Sequence, residues 1–363
     1  MTETQHSTEP VYDAADEYRP EPPEPPRPPA WMDGSTRIGI HTSIAGHLTQ
    51  SLEIAHKLGA NALQIFSSSP RMWIRPQAGP RIAAADCKKF QERRAELALG
   101  PLVIHANYLI NLASPEPVLH TRSVQTFHDE IARATLLGAD FLVVHPGSSK
   151  GGDRRVAARR ISDGLRHSVR GLKMAAGPRI LLENTAGQGS CLGCRFEELK
   201  WIMDAAPDLK LGVCVDTAHL FQAGHDLRTS EGLEKALEEI ESTIGLDSVA
   251  LLHVNDSKTG LGSRSDRHDH IGKGNIGLAA FERIVNHPLL AGRAFILETP
   301  IDKPGDDARN VRVLWKLAGV VVRQDRAARD GFKAKVRVRR HARIKRARRS
   351  RTSPANRSKR RGR

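Results

Sequence analysis

FLVVHPGSSKGGDRRVAARRISDGLRHSVRGLKMAAGPRILLE, residues 141–183, decides the fold. It opens on an apolar run that ends at His145. It then passes through an amphipathic stretch of helical length at 153–174, and closes on a second apolar run that ends at Glu183. Strand, helix, strand is the crossover unit that joins parallel strands, which no short hairpin can join. Both runs finish on a side chain able to bind a metal. In a closed parallel barrel the strand C-termini share one mouth, and active sites lie there.

The same unit recurs on either side. Candidate strands are 38–42, 61–66, 102–105, 140–145, 178–183, 210–216, 248–254 and 294–298. Helical stretches between them include 46–58, 82–98, 117–137, 153–174, 194–205 and 231–243, and another at 306–322 follows the eighth strand. Eight β-then-α units in series predict an α/β fold, a (β/α)8 TIM barrel, over an open doubly wound sheet. No GxGxxG opens a first helix, so a dinucleotide-binding fold has little support.

The 363 residues suffice for one large barrel, which predicts a barrel domain at 34–322 with a tail at each end. Aromatics are few, so the core is expected to rest on Val, Ile, Leu and Ala. No apolar run approaches the roughly 18–20 residues that span a bilayer. No basic-then-apolar leader opens the chain, and four cysteines do not make a disulfide framework, so the expected location is the cytoplasm.

The net charge of +15 is a local property. Residues 331–363 hold 16 Lys or Arg and no acid, while residues 1–33 hold eight acids and two bases among many prolines. The N-terminal stretch (RPEPPEPPRPP, 19–29) cannot bury enough surface to offset its ordering entropy, and reads as a disordered tail. The basic run at 323–363 repels itself and also reads as disordered. Lys and Arg runs release counterions from phosphate backbones, so its expected partner is nucleic acid.

Four more apolar runs end, or nearly end, on a candidate ligand: LVIH at His105, GVCVD at Asp216, ALLH at His253 and FILE at Glu298. Asp216 and His219 lie three apart, so one helical turn puts both on one face. Asp266 and His268 lie two apart, so an extended loop points both the same way. These spacings allow three groups. One is His219 with Asp266 and His268, and another is His105 and His145 with Glu183. The third is Asp216 with His253 and Glu298, with Glu183 bridging. Imidazoles mixed with carboxylates suit zinc or manganese rather than magnesium. Three divalent ions against four carboxylates leave a positive centre. Such a centre attracts a phosphodiester, lowers the pKa of a bound water and can clamp both oxygens of an in-line displacement.

HANYLINL (105–112), VVHPGS (143–148), LLENTAGQGS (181–190), GVCVDTAHLFQAGHDLRT (212–229), LLHVNDSK (251–258), GSRSDRHDHIGKGNIG (262–277) and FILET (295–299) resemble the motifs of the endonuclease IV family of apurinic/apyrimidinic endonucleases. The resemblance covers about 38–320. It implies a barrel with three zinc ions per chain, with manganese an option at one site. The implied activity is cleavage of duplex DNA on the 5′ side of an abasic site, leaving a 3′-hydroxyl and a 5′-deoxyribose phosphate, together with removal of 3′ blocking groups in base excision repair. The nine ligand positions match His105, His145, Glu183, Asp216, His219, His253, Asp266, His268 and Glu298. The resemblance further implies that Glu183 bridges two metals, with a catalytic role in activating the nucleophile. Arg71, Tyr108 and Leu109 match side chains that enter the DNA gap. From sequence alone, the Tyr–Leu pair would be read as core. The implied enzyme is a monomer that associates with the nucleoid when bound to DNA.

Some residues stand apart from this set. His41 ends the first strand and is expected to line the mouth without being a ligand, and His270 is a decoy beside Asp266 and His268. Met72 stands where a polar residue is usual, and Cys191 and Cys194 form a CxxC with no second pair nearby. Two rival readings are a divalent-metal sugar isomerase or epimerase on a related barrel, and a scaffold that binds DNA through its basic tail.

Overall fold

The computed structural model describes residues 35–73 and 82–319; the readings made for 1–33 and 323–363 lie outside them. In chain order the elements are β1 (Arg37–His41), α1 (Gln50–Lys57), β2 (Ala62–Phe66), α2 (Ala84–Glu96), β3 (Leu102–His105), α3 (Pro117–Leu136), β4 (Phe141–Val144), α4 (Arg154–Ser168), β5 (Arg179–Glu183), α5 (Phe196–Ala205), β6 (Gly212–Asp216), α6 (Thr217–Gln222), α7 (Ser230–Thr243), β7 (Val249–His253), β8 (Asp256–Ser257), β9 (His268–Asp269), α8 (Leu278–Val285), β10 (Ala294–Leu297) and α9 (Asp306–Leu317).

Eight strands close a barrel in the order β1-β10-β7-β6-β5-β4-β3-β2. Every pair is parallel, with registers such as His41↔Gln64, Phe66↔His105 and Asp216↔His253. The remaining two, β8 and β9, form a small antiparallel ribbon above the mouth. Each predicted strand is present to within two residues. Near-continuous Val, Ile and Leu are what a strand buried on both faces requires.

Several predicted helices are shorter than their periodic stretches, and at two of them a glycine lies beside the lost end. Gly46 sits at φ +88° and Gly171 at φ +77°, backbone that other residues resist. The turn at Gly46 precedes α1, and the chain has left α4 before Gly171. Other starts are fixed by capping. Asp153 accepts from Val156 N–H at 2.8 Å, Thr229 accepts from Gly232 N–H at 3.0 Å, and Pro117 opens α3.

The core has two parts. Between strands and helices, outward-facing aliphatics meet the apolar faces of the helices. The aromatic contribution here exceeds expectation, because Phe90, Phe127, Phe196, Phe221 and Phe281 are fully buried in this layer. Inside the barrel, Ala62, Val103, Phe141, Val143, Leu181, Cys214, Leu251, Ala294 and Ile296 fill the lower layer. β1 offers Gly39 there, since a Cβ at that position would meet Ile296 Cδ1 at 2.4 Å. Among the described residues no helix is long and apolar enough to cross a membrane.

Candidate metal centre

Strand alternation places the next inward residue one layer above that apolar plug. The residues reached are His41, Gln64, His105, Glu183, Asp216 and His253, with His145 and Glu298 one step past β4 and β10. α6 and the β8–β9 ribbon add His219, Asp266 and His268 from above.

All nine predicted ligands meet around Glu183, which is wholly buried. Its Oε2 lies 3.3 Å from His105 Nε2 and 3.2 Å from His145 Nε2. Its Oε1 lies 2.9 Å from His253 Nδ1, and His253 Nδ1 is 3.2 Å from Glu298 Oε2. The two oxygens of one carboxylate therefore face two separate donor groups. In the third group, His219 Nε2 is 3.1 Å from Asp266 Oδ1 and 3.4 Å from His268 Nε2, while His268 Nε2 is 3.5 Å from Asp266 Oδ1. Asp216 reaches two groups: its donor oxygens close on His219 and His268 and also on Glu183, His253 and Glu298. Sequence spacing placed it in only one.

Hydrogen bonds decide which imidazole nitrogen four of the five histidines offer. His105 donates Nδ1–H to the carbonyl of Ala106 at 2.8 Å, and His219 to that of Asn184 at 2.9 Å. His268 Nδ1 faces the carbonyl of Glu298 at 3.3 Å. In each case Nε2 keeps its lone pair for the centre. His253 is reversed. Its Nε2 lies 2.8 Å from Gln64 Oε1, so Nδ1 faces the carboxylates. Free nitrogen lone pairs and carboxylate oxygens aimed at one space fit zinc or manganese.

Electrostatics agree with that chemistry. Burial alone would raise the Glu183 carboxyl, but His145, His253 and His105 overcome it and hold the group well below the usual carboxylate range. Burial pulls His219 down. Asp216 and Asp266 around it outweigh burial and carry that imidazole well above its ordinary value. The carboxylates demand positive charge at this point, which a divalent cation supplies. Cys214 also lies within reach, beside Glu183 and His253. Burial pushes its thiol up to about 12, so it stays protonated there.

Loop polarity holds the upper ligands in place. Asp216 caps α6 by accepting from His219 N–H at 2.7 Å, and its other oxygen accepts from Asn255 Nδ2 at 2.6 Å. Asn255 Oδ1 accepts from Glu298 N–H at 2.8 Å. Asp256, fully buried, accepts from the N–H groups of Ser257, Gly272, Ile276 and Gly277, and so wraps IGKGNIG around itself beneath the ribbon that carries His268. Sequence reading missed Gln64, Asn255 and Asp256. The available signal was a polar residue in the inward phase of an apolar run (ALQIF) and two polar residues directly after a strand (HVND).

The other singled-out residues fall as follows. His41 lines the mouth, 3.0 Å from Gln64 Nε2 and 3.9 Å from Glu298 Oε1. Tyr108 is 52% exposed, so it is not core, and its ring stands 5.3 Å from that of His105. Leu109 is half-buried beside it, and Arg71 and Met72 are exposed on the neighbouring loop. Asn107 ties the two loops together, donating to the carbonyls of Ser69 and Met72, both at 2.9 Å. His270 turns away from the centre, with Nε2 3.3 Å from Asp302 and 3.5 Å from Asp306. Ile271 N–H donates to Asn310 Oδ1, which leaves Asn310 Nδ2 to donate to His270 Nδ1 at 3.0 Å. His270 Nδ1 therefore accepts from Asn310, and Nε2 is the nitrogen that faces the two aspartates. Cys191 and Cys194 are free and half-buried in the loop after β5.

Comparison with known proteins returns the same barrel. A family described as a xylose isomerase-like TIM barrel matches residues 52–316. A probable endonuclease 4 from Solibacter usitatus is 46% identical over 286 residues, 78% of this chain and 97% of that protein. The crystal structure of endonuclease IV from Thermus thermophilus superposes with a TM-score of 0.69 at 39% identity, covering 78% of this chain and 99% of that one. A D-tagatose 3-epimerase-like protein, at 22% identity, TM-score 0.59 and coverage of 79% and 98%, shares the fold alone. The chain belongs to the endonuclease IV family.

Proposed function

We propose that this protein is a zinc-dependent apurinic/apyrimidinic endonuclease of base excision repair. It hydrolyses the phosphodiester 5′ to an abasic site in duplex DNA, leaving a 3′-hydroxyl and a 5′-deoxyribose phosphate, and it removes blocking groups from 3′ ends. Residues 34–322 form the catalytic domain. The protein acts as a monomer in the cytoplasm, on the nucleoid when bound to DNA, and the basic tail at 323–363 contacts nucleic acid. The observation that carries this reading is the placement of Glu183, whose two oxygens address two donor groups at one mouth.

His105, His145 and Glu183 would hold one ion, and Glu183, Asp216, His253 and Glu298 a second; His219, Asp266 and His268 would hold a third, with Asp216 in reach. Zinc there, or manganese at one position, supplies Lewis acidity to phosphoryl oxygens and lowers the pKa of a coordinated water toward about 7. Glu183, between two groups, would activate the attacking water. An abasic nucleotide lacks stacking and pairing, so extruding it costs less than extruding an intact one. Arg71, Tyr108 and Leu109 stand on two loops at the mouth, and Tyr108 N–H donates to the carbonyl of Pro70 at 3.1 Å. The two loops therefore enter the gap as one unit.

Incubation with a duplex carrying one tetrahydrofuran abasic analogue tests the proposal. That substrate resists β-elimination, so a 5′-side cut on a denaturing gel means hydrolysis, and uncut duplex after zinc loading refutes the proposal. Metal content separates the sugar-epimerase rival, which needs fewer ions than three per chain. Removing residues 323–363 separates the scaffold rival. The truncated enzyme should still cleave, and its affinity should depend less on salt, with a log–log slope shallower by about 0.9 for each phosphate the tail had neutralised.

A further inference from the structure

Gln64 is fully buried on β2, facing the barrel axis one layer above the apolar plug. Its Nε2 lies 2.5 Å from Glu298 Oε1 and 3.0 Å from His41 Nδ1, and its Oε1 lies 2.8 Å from His253 Nε2. The ionised Glu298 carboxylate only accepts, so the amide nitrogen is the atom that faces it. The amide oxygen then faces His253 and can only accept, so His253 must carry its proton on Nε2. Nδ1 is left with a lone pair, 2.9 Å from Glu183 Oε1 and 3.2 Å from Glu298 Oε2.

We propose that Gln64 is a positioning residue that selects the coordinating nitrogen of His253 and fixes the rotation of Glu298, and so sets the affinity of the ion held by Glu183, Asp216, His253 and Glu298. The inference rests on the metal-centre part of the proposed function. His105, His219 and His268 have their tautomers set by backbone carbonyls, which the fold supplies whatever the side chains are. His253 takes its partner from a side chain, so among these four histidines it is the one whose tautomer a substitution can release. Partners that orient a ligating histidine are worth roughly 10–100-fold in metal affinity.

Gln64→Met keeps side-chain length and removes both hydrogen-bonding atoms. The zinc-loaded full chain is titrated with a competing chelator, and bound zinc is counted by native mass spectrometry. The variant should release one of three ions about 10–100-fold more readily and keep the other two as the wild type does. A purely structural role would lower the melting temperature and leave zinc retention unchanged, and that result overturns the proposal. Long-range 1H–15N spectra of histidine-labelled, zinc-loaded wild type give a reading that needs no variant. His253 should be protonated on Nε2, and protonation on Nδ1 overturns the proposal even if Gln64→Met fails to fold. Neither measurement uses DNA. Protein that holds three ions in this way but leaves abasic duplex whole refutes the nuclease and spares Gln64, whereas wild type that holds no zinc refutes both.

Discussion

Leu181 and Glu183 stand two residues apart on β5, both fully buried and both facing the barrel axis. They belong to layers that the same strands build in opposite chemistry. In the lower layer each side chain is stabilised by leaving water, at about 1.5–3 kcal/mol for a leucine or valine, and needs no particular partner. In the upper layer burial opposes every ionised group, and each is stable only through named neighbours. The comparison teaches that a barrel can keep its backbone and exchange packing for chemistry within two residues. The lower layer packs apolar side chains across the barrel beneath the upper one.

The sharpest way to break this contrast is Glu183→Ala. Incision of abasic duplex should be abolished, because two donor groups lose their shared carboxylate, while circular dichroism shows an intact barrel. Normal turnover would sink the assignment. Leu181→Ala attacks the lower layer on the same strand. It should cost about 2–5 kcal/mol in denaturant unfolding, with zinc content unchanged. A loss of metal without a loss of stability would mean that the layers are not separate.

Glu198 sharpens the contrast, because it is a buried carboxylate answered by arginines instead of histidines. Arg154 Nε lies 2.5 Å from it and Arg195 NH2 2.8 Å. Burial would raise its carboxyl, but hydrogen bonds from Arg154, Arg195 and the Gly193 N–H hold it below its ordinary value. A lowered folded pKa means that the unfolded chain binds the proton first. The stabilisation is therefore present above the ordinary carboxylate pKa and lost as pH falls through the folded one. Glu198→Gln should lose about 1.5–3 kcal/mol at neutral pH. That difference should shrink toward zero in acid, as read from unfolding midpoints from neutral pH down into the acid range, and a pH-independent difference would rule out this account. The smallest effect expected is from Asn107→Ala above the mouth. Removing two hydrogen bonds at about 0.5–1.5 kcal/mol each should loosen the Arg71 loop and raise KM for abasic duplex, with kcat and zinc content little changed. A fall in kcat at constant KM would place Asn107 in the chemistry instead.

Much of this was legible in the sequence. Strand ends were readable because a doubly buried strand is an unbroken apolar run, and a polar residue that ends it marks the mouth. LVIH and ILLE therefore located both the fold and His105 and Glu183. Helix ends at 46–58 and 153–174 were less legible, since periodicity ignores a positive-φ glycine. Gln64 was passed over because one polar residue inside ALQIF breaks no pattern, and Tyr108 read as core because exposure at a mouth depends on which loops surround it.

By itself, then, the sequence determined the eight-unit barrel and marked nine candidate donors, since apolar period and strand-terminal polarity are local properties of the chain. Only the tertiary structure decided that Asp216 serves two groups, that His253 presents Nδ1 while its neighbours present Nε2, and that Gln64 is the reason. Those outcomes depend on atoms up to 234 residues apart, as with Gln64 and Glu298. Hydrogen-bond direction is a relation between such atoms, and it exists only once the barrel has closed.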